Sequence, residues 1–336
     1  MLRIPKAALV LLLLFLVGCN PDPEAVILLS GNTMGTTYHI TLVNPGELRS
    51  DELKKDLDFQ LEHFNSIAST YIEDSELNKL NRSKVGEWQK VSPPLYAMLN
   101  IATEVSWLSG GAFDITVGPL VNLWGFGPDK AHGVPADDAI AAALKNVGYT
   151  QLEMDMLEPK VLRRAAVQLD LSAVAKGYGV DAAAVWLESL GVTNYLVEIG
   201  GEMRVAGKSP RGDAWRVGVE NPDPNATETL PIRLAEIAVA TSGDYRNYFE
   251  EDGVRYSHTI DPRTGRPITH RLASVTVLDP SCAYADAMAT AFSVMGVEHT
   301  LEVANRQGIP VYIIEKTDEG FASRHSKAFE PYLKEQ

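Results

Sequence analysis

The sequence predicts an α+β fold, and three observations predict it. Apolar residues recur at helical spacing in two early segments, short alternating apolar runs fill much of the second half, and several of those runs flank glycine turns as antiparallel neighbours do. Taken in order, residues 37–43 alternate as a strand. Leu53, Leu57, Leu61, Phe64 and Ala68 then fall on one helical face behind Ser50, the expected N-cap. A second amphipathic helix follows Pro94, with Leu95, Met98, Leu99, Ala102 and Val105 as its stripe. Residues 118–135, rich in Gly and Pro around Trp124-Gly125-Phe126-Gly127, predict an ordered loop. Strands are expected at 167–171, at 194–199 and 202–206 about the Gly200-Gly201 turn, and at 215–219 and 237–241. A helix ending at Leu190 separates the first of these from the rest. A hairpin is expected at 245–250 and 255–260 around Asp252-Gly253, and residues 221–230 read as a surface loop.

The N-terminus predicts export. Arg3 and Lys6 precede an apolar run over residues 7–17, which is shorter than the roughly 20 residues that span a bilayer. The run ends in Leu16-Val17-Gly18-Cys19, which resembles the bacterial lipobox. Residues 1–18 are therefore expected to be a cleaved signal peptide and Cys19 the lipid-bearing first residue of the mature chain. Residues 19–29 then form a tether and residues 30–336 the working domain. The expected location is the membrane surface facing the periplasm, and Asn20 stands where an aspartate would direct inner-membrane retention.

Only Cys19 and Cys282 occur, so lipidation of the first leaves no intrachain disulfide, and the fold must rest on its core. A 45% hydrophobic content over 336 residues can supply one. The net charge of −14, deepened by two when Arg3 and Lys6 leave with the signal, argues against nucleic acid as a partner. An acidic protein that handles a phosphorylated ligand needs a divalent cation or local donors to offset repulsion.

Two common chemistries find no support, because neither an HExxH nor a GxSxG pattern occurs. Residues 177–182 match GxGxxA, but residues 172–176 separate that match from the expected strand, whereas a dinucleotide-binding turn follows its strand at once. Asp286 and Thr290 stand four residues apart near the start of an apolar helical segment, so both oxygens can project from one face toward a hard cation. The same pattern describes an acidic residue favoured by the helix dipole beside a solvated threonine. His258, ahead of an Asp-Pro turn, suits proton transfer but also suits an ordinary strand position, and Asp244 is an alternative base beside the Thr241-Ser242-Gly243 turn.

Nine short segments stand in a fixed order: Gly31 to Tyr38, Ser69 to Leu77, Gly110 to Thr116, the Trp124 loop, Asp170 to Gly177, Gly200-Gly201-Glu202, Thr241-Ser242-Gly243, Ser257 to Gly265, and Ala285 to Thr290. This series, over residues 30–315, resembles the ApbE family of FAD:protein FMN transferases. The resemblance implies an ApbE-like fold with mixed, largely antiparallel sheets flanked by helices. It implies Mg²⁺-dependent transfer of FMN from FAD to a threonine hydroxyl of a client protein, with release of AMP. It assigns the metal to Asp286, Thr290 and the carbonyl of Ala173, and the base to His258. Flavin contacts fall on Met34, Tyr71, Ala112, Phe113, Asp114, Asp170, Lys176 and Ile260; taken alone, Phe113 equally suits a core position, Asp170 a strand-end cap and Lys176 a surface charge. The implied clients are flavoproteins of membrane redox complexes, such as subunits of sodium-pumping quinone reductase or of the Rnf complex. Hydrolysis of FAD to FMN and AMP is the nearest alternative, and FAD binding without chemistry by a lipoprotein is the next.

Overall fold

The computed structural model describes residues 25–128, 133–219, 221–222, 229–243 and 248–334. The segment expected to be a signal peptide, Cys19 and Asp244 lie outside the described residues. Strand β1 (Val26–Thr33) begins ahead of residue 30, within the stretch read as tether, and returns through Met34-Gly35 into β2 (Thr36–Val43). Met34 and Gly35 both have positive φ, at 49° and 73°, as a tight two-residue hairpin turn requires.

Helix α1 (Ser50–Ala68) buries the predicted stripe, with Leu53, Leu57, Leu61, Phe64 and Ala68 all inside. Ser50 lies within this helix, and Arg49 occupies the cap position without capping the helix N–H groups, its side chain donating to Asp51 instead. Short α2 (Glu76–Arg82) and β3 (Trp88–Lys90) lead to α3 (Pro93–Leu108), where Ser92 caps Leu95 N at 3.3 Å and the five predicted apolar residues are buried. The expected loop over 118–135 contains a turn of helix, α4 (Gly118–Leu123), because Pro119 sits where a helix start needs no N–H. Helix α5 (Asp137–Leu144) and the small strands β4 (Leu152–Met154) and β5 (Lys160–Arg163) follow.

Residues 167–171 form no strand; only Gln168 makes an isolated bridge, to Val117. Val167, Leu169 and Leu171 are buried, which produced the alternating pattern, but a side chain replaces the ladder: Asn81 accepts from Leu169 N at 2.7 Å and donates to Leu169 O at 2.9 Å. Helix α6 (Ala175–Ser189) follows, then β6 (Tyr195–Ile199), β7 (Glu202–Ala206), β8 (Trp215–Val219), β9 (Leu230–Leu234) and β10 (Ile237–Gly243). The expected second hairpin divides into β11 (Tyr248–Glu251) with β12 (Val254–Ser257), and β13 (Ile260–Asp261) with β14 (Arg266–Pro267). The chain ends with β15 (Leu272–Asp279), α7 (Cys282–Met295), α8 (Val297–Gln307), β16 (Val311–Thr317), β17 (Gly320–His325) and α9 (Glu330–Lys334).

The main sheet runs β1-β2-β6-β7-β10-β15-β16-β17, and each neighbouring pair is antiparallel. Strand alternation sends Ala240, Val275 and Val277 to the face covered by α7, on which α3 packs in turn, and Val239 and Leu278 to the opposite face under the β8–β9 hairpin. Both faces are buried over the central strands, while β17 at the edge is exposed along its length, and the ends of the central strands are where a ligand can enter.

Candidate active site

At one end of the sheet lie the start of β2, the turn from β6 to β7 and the last residues of β10. They surround a cavity of about 870 Å³, closed on the helix side by α6 and α7 and on the other by β8, Tyr71, Phe126 and His258.

Helices α6 and α7 meet at a backbone contact that only glycine permits. A Cβ on Gly177 would lie 2.4 Å from the Cys282 carbonyl oxygen. Two sets of bonds fasten the pair. Asp181 of α6 accepts from Cys282 N, Ala283 N and Ser281 Oγ, at 3.0, 3.0 and 2.9 Å, capping the start of α7. Gly177 N donates to Asp286 Oδ2 at 3.1 Å. The GxGxxA match is thus a helix-packing surface, and its second glycine faces Met34, whose Cε lies 2.8 Å from where a Cβ would stand on Gly179.

This junction carries the charges of the site. Asp286 and Glu202 are 5% and 3% exposed, and the Lys176 ammonium reaches Glu202 Oε1 at 2.5 Å. Burial raises the Asp286 pKa against the pull of Lys176. Burial likewise pushes Glu202 up to about 7, again with Lys176 opposing. Burial works against a charged Lys176, yet Asp286 and Glu202 outweigh it and hold its pKa above the ordinary value. Two buried carboxyls thus share one close cation in a cavity wall. Asp170 orders the approach to α6, its Oδ1 accepting from Ser172 N at 2.8 Å and Ser172 Oγ at 2.6 Å, just ahead of Ala173.

Across the cavity, His258 follows β12 and meets the Phe126 ring edge to face, 6.2 Å between centroids. Behind it Phe249 and Tyr256 stack at 5.1 Å and pack on Trp124, whose indole Nε1 donates to Gly265 O at 2.8 Å. The Asp261-to-Gly265 turn is scaffolding: Arg263 is bidentate to Asp261, with both bonds at 2.9 Å.

The cavity wall brings together Tyr71, Asp170, Ala173, Lys176, His258, Ile260, Asp286 and Thr290. Met34, Ala112, Phe113 and Asp114 are not in it. Met34 packs over Gly179, and Ala112 and Phe113 are buried. Asp114 holds a turn, accepting from Thr116 N at 2.8 Å, Thr116 Oγ1 at 2.6 Å and Tyr149 N at 2.7 Å. The wall adds residues to which sequence reasoning gave no role: Glu202, the His39–Glu198 pair at 2.7 Å, and the Thr241–Thr276 hydroxyl pair at 2.9 Å. Glu202 carried one sequence signal, a carboxylate directly after a double glycine at the head of a strand.

Asp286, Thr290 and the Ala173 carbonyl supply hard oxygen donors beside a buried negative charge, which fits a divalent cation such as Mg²⁺. No cluster of three or more His, Cys, Asp or Glu side chains able to hold a metal occurs among the described residues. Such an ion would therefore share its shell with ligand and water oxygens.

The model of the ApbE family matches residues 34–313. The chain belongs to the ApbE family. It is 46% identical over 327 residues to the FAD:protein FMN transferase of Vibrio cholerae, covering 96% of each chain. It is 41% identical to the enzyme of the same name from Haemophilus influenzae, covering 94% of each. The solved structure of the flavin transferase ApbE from Vibrio cholerae superposes with a TM-score of 0.87 at 44% identity, covering 93% of this chain and all of that one. The α+β architecture is thus the ApbE fold, with its largely antiparallel sheet between helices.

Proposed function

We propose that this ApbE-family flavinyltransferase moves FMN from FAD onto a threonine hydroxyl of an exported or membrane-bound flavoprotein, releasing AMP, with Mg²⁺ at Asp286, Thr290 and the Ala173 carbonyl. The observation that carries the reading is one cavity holding a histidine opposite a buried acidic helix face, in a chain of this family. In the transfer, the threonine Oγ attacks the FMN-side phosphorus, the bridging P–O bond breaks, and AMP leaves with the bond's electron pair. His258 accepts the threonine proton. A divalent cation would supply charge neutralisation at the pyrophosphate. Lys176 offers donors to the same phosphates, Tyr71 an aromatic face at the mouth, and Ile260 an apolar wall for the isoalloxazine.

The lipobox at Cys19 supports attachment to a membrane facing the periplasm, where client subunits of sodium-pumping quinone reductase or Rnf type would be reached. The test is to incubate the protein with FAD, Mg²⁺ and a candidate client and to weigh the client by mass spectrometry. A gain of one FMN on threonine supports transfer, whereas AMP release without client modification favours hydrolysis, and FAD binding with no AMP favours a carrier. His258→Ala and Asp286→Ala should each abolish modification, and normal turnover in either would remove the role assigned to that residue. Labelled fatty acid should enter the wild type and not Cys19→Ala.

A further inference from the structure

Glu202 occupies a place where the fold alone has no use for a charge. It is the first residue of β7, 3% exposed, and faces the cavity directly after the Gly200-Gly201 turn. Its Oε1 accepts from Lys176 Nζ at 2.5 Å. Its Oε2 is fully buried, and no hydrogen-bond donor among the described residues reaches it. A buried acceptor left unmatched costs about 1–3 kcal/mol, and a buried ion pair is often no more stabilising than an apolar pair of the same shape. A Lys–Glu bridge that only fastened a turn would gain by using both carboxylate oxygens or by being replaced with packing.

The turn itself is shaped around the lysine. Gly200 has φ +60°, and a Cβ there would lie 2.8 Å from Thr36 Cγ2 and 3.4 Å from Lys176 Cδ. The space that glycine leaves lets the flexible lysine stem pass over the turn and bring its ammonium to Glu202. An ammonium on four rotatable bonds is held at one point in this way, which lowers the ordering cost when an anion meets it.

We propose that Glu202 is a positioning residue that fixes the Lys176 ammonium against the cavity wall for the phosphates of the bound dinucleotide. The proposal rests on the reading of the cavity as the FAD site.

A double-mutant cycle tests it, with FAD affinity read by equilibrium titration and kcat and KM read from AMP release. Glu202→Gln keeps the shape and removes the charge. It should raise the Kd and KM for FAD about ten- to a hundredfold, the worth of a charge-assisted contact, with a smaller change in kcat. Glu202→Asp, which retracts the carboxylate by one methylene, should recover part of that loss. Lys176→Met should weaken FAD binding, and adding Glu202→Gln to Lys176→Met should cost little more, because the glutamate acts through the lysine. Should Glu202→Gln fail to unfold cooperatively, Glu202→Asp measured with and without Lys176→Met carries the same comparison. Fully additive losses, or an unchanged KM in every Glu202 variant that folds, overturn the proposal while leaving the FAD site intact. A wild-type protein that neither binds FAD nor releases AMP overturns both.

Discussion

Gly177 and Gly179 look alike in the sequence and differ in what surrounds them. A methyl at 177 meets fixed backbone, with Cys282 O at 2.4 Å and Ala283 Cα at 2.8 Å, whereas at 179 it meets the far end of the Met34 side chain. Gly177→Ala should therefore cost about 1–3 kcal/mol through overpacking, even after the helix-propensity gain of about 1 kcal/mol. Gly179→Ala should stay near neutral because methionine can turn away. Urea midpoints of the two variants check this, and equal losses would show that the α6–α7 contact is not as close as described. Glu202 makes a second residue-level prediction. Burial lifts it from its ordinary 4.5 to about 7, so the folded chain keeps a proton that the unfolded chain releases. That contribution to stability is complete below about pH 4.5 and is lost as pH rises toward 7. Buried Asp286 acts in the same direction. The melting temperature of the ligand-free protein should fall across this window, and Glu202→Gln should flatten the slope.

Among the elements, α7 joins folding to chemistry. Its start is capped twice, by Ser281, whose Oγ accepts from Tyr284 N at 3.2 Å, and by Asp181 of α6 through three further bonds. Ser281→Ala should cost about 1 kcal/mol, the usual worth of an N-cap. Asp181→Ala should cost more, since it strands two buried N–H groups and takes from the Arg204 guanidinium one of its two carboxylate partners, leaving it Glu188 alone. Because α7 also carries Asp286 and Thr290, the proposed Mg²⁺ site predicts that Asp181→Ala weakens divalent-cation affinity as well as thermal stability, so that AMP release titrated against Mg²⁺ reaches half-saturation at a higher concentration. The β11–β12 hairpin is the other such element. Phe249→Ala removes the ring stacked on Tyr256 and tilted against Trp124 and Phe126, so it should lower kcat through His258 more than it lowers the urea midpoint.

At the scale of the whole molecule, the β1–β2 hairpin places the cavity and the N-terminal end of β1 at opposite ends. Thr36 lines the cavity, while Val26 pairs with Val43 at the far end of the same hairpin. The seven steps of an eight-residue strand separate the two ends by about 23 Å. If Cys19 carries the lipid, the six steps from residue 19 to residue 25 reach no more than about 22 Å even when fully extended. The cavity of the anchored enzyme should then open away from the bilayer and require an acceptor threonine displayed off the membrane surface. With FAD bound and the lipidated protein on vesicles, a headgroup spin label that quenches near contact should leave the flavin emission unchanged. Strong quenching would place the cavity against the lipid.

Periodicity alone was enough for helices that turn one apolar face to the core, which is why α1 and α3 carry the stripes their sequence announces. It misread residues 167–171, because alternation reports burial and cannot show that Asn81 supplies the hydrogen bonds a neighbouring strand would have made. The ordered motifs identified the family, and they pointed to His258, Asp286 and Thr290, which the fold brings into one cavity wall. Tertiary structure separated the other motif residues into wall and scaffold. Asp114 and Asp170 are both buried acids in short motifs, yet one ties down a turn and the other lines the cavity. It also disclosed Glu202 on β7, whose meaning depends on a lysine arriving from helix α6 through the space above Gly200. The sequence by itself determined fold class and family, and it nominated the address and the reacting groups that the proposed function uses. Only the folded chain decided which charges are buried together, because burial and distance belong to residues far apart in sequence.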